Sequence, residues 1–260
     1  MTKRTIPLSL LLTTFIACGE GGDLGSVKKS RDEGDAGSDD GGAPARADVV
    51  VSAPGDKGSG LYDANKAING VRGGGRYKGS ADTFSLGYEA GSDNYIILRF
   101  SGRRVVNGEG VDFVVFENPF VSAKNEEEFF MDLTIVYLSR DGENWVAFPH
   151  NYINGDESVY SANPAMWRGF AGVQPVYYHE EENRVDPFDF DSAGGDRFDL
   201  DELPSDGGEA EAIKRKGFVY MKLVSAPSQV NPDTGENYVR DAISNGADID
   251  GVYARYFEKE

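Results

Sequence analysis

The chain has 260 residues and a formal net charge of −18, with 44 Asp and Glu against 26 Lys and Arg. Residues 48–260 carry most of that charge, with 20 basic and 37 acidic side chains. A surface this acidic repels phosphate backbones, which argues against nucleic acid as a partner; one Cys and two His exclude an internal disulfide, a four-cysteine zinc site and a three-histidine zinc site.

Residues 1–17 read as a secretory signal. Lys3 and Arg4 precede a mostly apolar run over residues 6–17 that ends on the small Ala17. The run is shorter than the roughly 20 residues needed to span a bilayer. It closes as Phe15-Ile16-Ala17-Cys18-Gly19, which resembles the lipobox of bacterial lipoproteins, with Phe15 where Leu is usual. That resemblance implies a lipidated Cys18, an N-terminal lipid anchor in a membrane and a place in the bacterial cell envelope. Gly19, where an Asp would mark inner-membrane retention, points to the outer membrane. Residues 18–47 then hold Gly, Ser, Asp, Glu and Lys with almost no large apolar side chain. Such a stretch buries too little surface to offset its ordering entropy and reads as a flexible tether.

From residue 48 the pattern becomes that of short strands. Runs rich in β-branched and aromatic residues fall at 49–51, 95–100, 112–117, 133–139, 145–148, 218–224 and 249–257. Gly, Asn, Asp and Pro bound them. Helical periodicity is confined to a short helix over 209–215 and a single turn over 63–68. Asp141-Gly142 sits between two of the runs, as hairpin turns require. Many short strands without a βαβ rhythm predict an all-β antiparallel sandwich, jelly-roll-like, as one domain over 48–260. Residues 52–94 and 149–217 hold few strand signals and predict long loops.

Several blocks then carry a resemblance. GVRGGG at 70–75, GSADTFSLG at 79–87, NGEGVDFVVFENPF at 107–120 and GADIDGV at 246–252 occur in that order. Together they resemble a group of bacterial cell-surface proteins and lipoproteins with an NGxGxDFxVFEN block. The resemblance implies a jelly-roll similar to galactose-binding-like and discoidin-like domains. It implies no activity. Residues 88–94 depart from the group's usual glycine-rich turn.

Calcium is the cofactor that the composition suggests, since Ca²⁺ takes six to eight hard oxygens. One expected set is Asp63, Asn65 and Asp82 beside the 69–75 glycine loop, with Asp250 approaching from the C-terminal strand. A second is Asp189, Asp191, Asp196 and Asp199. An EF-hand starting at Asp189 is excluded, because Ala193 and Leu200 stand at ligand positions. A third acidic stretch lies at 231–237. Each is weighed against a plain solvated acidic loop.

Catalytic patterns are scarce. No GxSxG elbow is present, and Arg72-Gly73-Gly74-Gly75 lacks the GK[ST] ending of a phosphate loop. Asp112 and Glu117 flank a strand whose alternation sends them to opposite faces, a poor acid–base pair; hydrogen bonding to loops is the better role for both. A glycan-binding face is expected of Trp167, Tyr152, Tyr177 and Tyr178, with Tyr160, against the alternative that these rings plug an end of the sandwich. The reading is a surface lipoprotein presenting a calcium-stabilised binding module, for a glycan or another surface protein. A glycan-active hydrolase or lyase and a purely adhesive protein are the rivals.

Overall fold

The structure, a computed structural model, describes residues 43–89 and 94–260. The signal segment, Cys18 and nearly all of the tether lie outside the described residues. Nine strands build two packed antiparallel sheets: β1 Ala45–Arg46, β2 Val49–Ser52, β3 Tyr95–Arg99, β4 Phe113–Phe116, β5 Thr134–Ser139, β6 Val146–Ala147, β7 Asp196–Phe198, β8 Tyr220–Ser225 and β9 Gly251–Ala254. One sheet runs β1-β9-β4-β7 and the other β6-β5-β8-β3-β2. The fold is an all-β sandwich with long loops.

Register follows from the apolar pattern. In β3, Ile96 and Leu98 are buried while Tyr95, Ile97 and Arg99 are half-exposed, the alternation of a strand with one face on the core. Met221 of β8 stands between Leu98 of β3 and Leu138 of β5. Between the sheets, Phe113 stacks on Phe198 at 5.0 Å and meets Phe148 and Phe218 edge-on at 6.2 and 5.5 Å. Each such ring pair contributes about 0.5–1.5 kcal/mol beyond its buried area.

Strand β4 is buried on both faces. Phe113 and Val115 enter the inter-sheet core; Val114 and Phe116 join a separate outer cluster with Val71, Val176, Tyr178 and Tyr253. Strand β5 is covered twice in the same way. Val136 and Leu138 face the core, while Ile135 packs outward on Tyr152, Trp167 and Phe170. Apolar residues on both faces of a strand demand a cover on each side. The long 149–217 segment supplies those covers, which is why it is rich in aromatics and poor in strand signals.

Two strands escape the sequence pattern. Ala45 and Arg46 pair with Ala254 and Tyr253, so the sandwich starts before residue 48 and takes in the end of the expected tether. Asp196–Phe198, inside an acid-rich stretch, pairs with β4 from Asp196↔Val115 to Phe198↔Phe113. The expected short helix appears as α2, Glu209–Lys216, with Ala210 and Ile213 inward; the four-residue α1 is Phe190–Ala193. The expected turn over 63–68 is a 3₁₀ helix, Ala64–Ala67, capped by Asp63. The Asp141-Gly142 connection is wider than a two-residue hairpin, since Leu138 pairs with Val146. Asp141 organises it by accepting N–H bonds from Glu143 and Asn144 at 2.9 and 2.8 Å, which holds its carboxyl far below the usual range.

Candidate functional site

Alternation through β4 carries past its end. Glu117 continues the parity of Phe113 and Val115 and therefore turns inward at the end of the sandwich. It is 1% exposed. Oε1 accepts the backbone N–H of Asp248 at 2.7 Å, and the Asn118 backbone N–H also donates to the carboxylate. Oε2 has no partner. Gly172 is the neighbour that permits this packing: a Cβ there would stand 2.4 Å from the Asp132 carbonyl and 3.2 Å from Oε2, and its φ is +85°.

Two more acids share this end. Asp248 belongs to a two-residue strand that pairs with Phe84–Ser85 through Asp248↔Ser85. It is 9% exposed, and its Oδ1 also lacks a partner. The Ser85 hydroxyl and the Asn118 side chain bond to its carboxylate. Asp132 precedes β5 and bonds to the Ser244 side chain. Burial is the main cause that raises all three carboxyls, and mutual repulsion adds for Glu117 and Asp132. Asp132 is pushed up to about 7.

The nearby cations Arg240 and Lys66 favour the charged forms of Asp132 and Asp248 through space, while their bonds are made to other groups. Arg240 donates from Nη1 to the carbonyls of Asp241 and Ser244 at 2.9 and 3.0 Å and lies over the Tyr88 ring at 3.9 Å. Lys66 pairs with Asp82 at 3.3 Å and donates to the Ala81 carbonyl. Above the acids opens a pocket of about 180 Å³, lined by Asn118, Asp132, Asp241 and Asp248 and walled by Phe120, Phe130, Met131 and Ile243.

A wider cleft of about 510 Å³ adjoins it, lined by Tyr88, Tyr160, Pro227, Tyr238, Val239 and Arg240. The Tyr160 hydroxyl donates to the Met131 carbonyl at 3.2 Å, joining the two walls. Tyr88 is exposed, Tyr160 half-buried and Tyr238 buried. Burial pushes the Tyr238 hydroxyl up to about 12.

The expected aromatic face is corrected. Tyr152 and Trp167 are 1% and 2% exposed and stack on each other at 3.7 Å beneath the outer cover of β5. Tyr178 is buried against Phe116 and Tyr253, and Tyr177 is half-buried. The ring faces of Tyr152, Trp167 and Tyr178 are consumed by packing, because both faces of the sheets are apolar. Only lining atoms of Trp167 reach a separate cleft of about 440 Å³, beside Arg168 and Arg197.

The expected calcium sets are not assembled either. Asp250 does approach the glycine loop, but both of its oxygens accept the Arg72 backbone N–H at 3.0 Å. Asp82 pairs with Arg72 and Lys66. Asp63 caps the 3₁₀ helix through the Asn65 N–H, and Asn65 itself is exposed. In the second set, Asp196 turns inward and accepts the N–H groups of Gly172 and Val173 at 2.8 and 3.0 Å. Asp189 and Asp191 are exposed at α1, with Asp189 accepting the Ser192 hydroxyl, and Asp199 accepts the Asp201 N–H. Backbone amides and cations bond to Asp63, Asp82, Asp196, Asp199 and Asp250 separately, while Asp189 takes a serine hydroxyl and Asp191 stands exposed. Among the described residues, no three His, Cys, Asp or Glu side chains form a metal-holding group.

Asp112 keeps the structural role expected of it, accepting N–H bonds from Gly108 and Leu200 at 2.7 Å each. Glu117 keeps that role through one oxygen only. Asp132, Asp241 and Asp248 were outside every expected site; the sequence signal for Asp248 is its place in the GADIDGV block, and Asp132 and Asp241 carry none. No protein-family model, curated protein or solved structure matches the chain.

Proposed function

We propose that the chain is a bacterial envelope lipoprotein whose β-sandwich is a binding module for a glycan, held in the tyrosine-lined cleft. The observation that carries this reading is the open cleft of about 510 Å³ with Tyr88, Tyr160 and Tyr238 along it and Arg240 between rings and acids. Amphipathic rings with apolar bodies and polar tips suit sugars, which present both kinds of surface. The Cys18 context and the NGEGVDFVVFEN block support the envelope assignment by resemblance. Binding is favoured over hydrolysis because Glu117 and Asp248 are too buried to reach a glycosidic oxygen.

Affinity electrophoresis of the full chain through gels containing soluble polysaccharides tests the reading. Retardation in at least one polysaccharide, lost in Tyr88→Ala, is the expected result. Equal mobility of both proteins in every polysaccharide overturns it and leaves the adhesive alternative. Cys18→Ser tests the anchor: it is expected to release the protein from the membrane fraction, and unchanged fractionation overturns the lipidation.

A further inference from the structure

Most arginines of this acidic chain are matched to a carboxylate. Arg46, Arg72, Arg99, Arg104 and Arg140 each pair with a Glu or an Asp. Arg168 and Arg197 are different. Both are exposed, and neither makes an ion pair or a side-chain hydrogen bond among the described residues; Arg197 lies over the Phe190 ring at 3.7 Å. The two line one cleft of about 440 Å³, within the roughly 300–1,000 Å³ of small-ligand sites. On a chain of net charge −18, two unmatched guanidinium groups on one cleft reverse the local sign. The partner they lack is an anion.

The other polar groups of the cleft are open as well. Asp196 lines it and is 7% exposed. Its Oδ2 accepts the N–H groups of Gly172, Val173 and Gln174 at 2.8, 3.0 and 3.5 Å. Its Oδ1 has no protein partner, and it is not sealed from solvent as the orphaned oxygens of Glu117 and Asp248 are. The backbone amides thus fix one oxygen and leave the other for the cleft. Burial pushes this carboxyl up to about 7, against the through-space charge of Arg197, so near neutrality Oδ1 both accepts and donates hydrogen bonds. The Gln174 side-chain amide makes no bond within the protein, and Glu202 is exposed at the same cleft.

These groups specify the ligand. A carboxylate suits guanidinium forks. Hydroxyls suit an amide and carboxyls that accept them. An apolar acid finds little to pack on, since Trp167 and Phe170 of the lining are 2% and 3% exposed. A doubly charged phosphate meets more repulsion from Glu202 than a single carboxylate does. We propose that this cleft binds a sugar acid of the uronate class, with its carboxylate on Arg168 and Arg197 and its hydroxyls on Gln174, Glu202 and Oδ1 of Asp196. This inference goes beyond the glycan reading and stands without it, since the tyrosine cleft shares no lining residue with this one.

Calorimetric titration of the full chain at pH 7 with sodium D-galacturonate and sodium D-glucuronate is the test, with galactose, glucose and sodium acetate as parallel ligands. Saturable binding of at least one uronate is expected, at least tenfold tighter than that of its neutral parent sugar or of acetate. Arg168→Gln and Arg197→Gln change exposed side chains and should keep the wild-type melting temperature. Each is expected to weaken the binding at least fivefold, and Gln174→Ala severalfold. The methyl glycoside of the uronate that binds separates two sources: retained affinity assigns the cleft to the end of an acidic glycan, lost affinity to the free sugar acid. Absence of saturable binding by both uronates overturns the proposal. Equal binding of the neutral sugars overturns it too, as does wild-type affinity in both arginine variants. Tyr88→Ala should lose polysaccharide retardation with uronate affinity intact; a parallel loss of uronate affinity would place the ligand in the tyrosine cleft and overturn the assignment.

Discussion

Asp248 donates its backbone N–H to Glu117 across 131 positions of sequence at 2.7 Å, yet each of the two side chains keeps a carboxylate oxygen with no partner. The bond fixes the Glu117 carboxylate against the backbone of the short strand that leads into β9. The fold thus gathers carboxyls that burial and mutual repulsion favour in their protonated form at one end of the sandwich, where Asp132 joins them.

Stability should therefore fall as pH rises. Burial raises the carboxyls of Glu117, Asp132 and Asp248 above their usual values, with Asp132 at about 7. From roughly pH 4 upward through the raised midpoints, about 7 for Asp132, the native state then holds more protons than the unfolded chain, so the unfolding free energy declines as pH rises. The melting temperature is expected to be higher at pH 5 than at pH 8, and Asp132→Asn should flatten the decline. A melting temperature that rises from pH 5 to pH 8 would contradict this.

Legibility stopped where long-range pairing began. The runs that became β3, β4, β5 and β8 were visible because β-branched and aromatic residues cluster there. Ala45-Arg46 was hidden by the tether's composition, and Asp196-Arg197-Phe198 by its acidic neighbours; both are strands because β9 and β4 offer them partners. Alternation placed Glu117 on the face opposite Asp112. Nothing local could show that Asp132 and Asp248 meet it. The aromatics of 149–182 were equally ambiguous, since a ring that covers a sheet and a ring that stacks on a sugar look alike in sequence.

Asp196 is a structural carboxylate, and its loss should show as such. It gathers the N–H groups of Gly172 and Val173 under the cover of β5. Asp196→Ala leaves buried donors unpaired, at about 1–3 kcal/mol for each. Urea unfolding should show a clear loss, with Asp196→Asn milder because it keeps an acceptor. Wild-type stability in the alanine variant would show that the loop finds other partners.

Two aromatic substitutions should separate packing from binding. Trp167→Ala removes a ring stacked on Tyr152 and edge-on to Phe170, and should destabilise by about 3–5 kcal/mol. Tyr88→Ala removes an exposed ring and should leave the melting temperature close to wild type while lowering polysaccharide retardation. The reverse pattern in thermal unfolding would return Trp167 to the surface.

Calcium should do little. Most acids of the two expected sets, Asp189 and Asp191 apart, are held by Arg72, Lys66 and backbone amides. Millimolar Ca²⁺ and excess EDTA are expected to give the same melting temperature. A rise of several degrees, as about 2.7 kcal/mol of linkage at 100 times the dissociation constant would produce, would mean that these loops rearrange around an ion.

The most direct measurement is a carboxyl-carbon NMR titration of the labelled full chain, with Glu117, Asp132 and Asp248 assigned by their Gln or Asn variants. All three are expected to titrate above the usual carboxylate range, Asp132 near 7. Ordinary midpoints near 4 for all three would contradict the account and return this end of the sandwich to solvated surface.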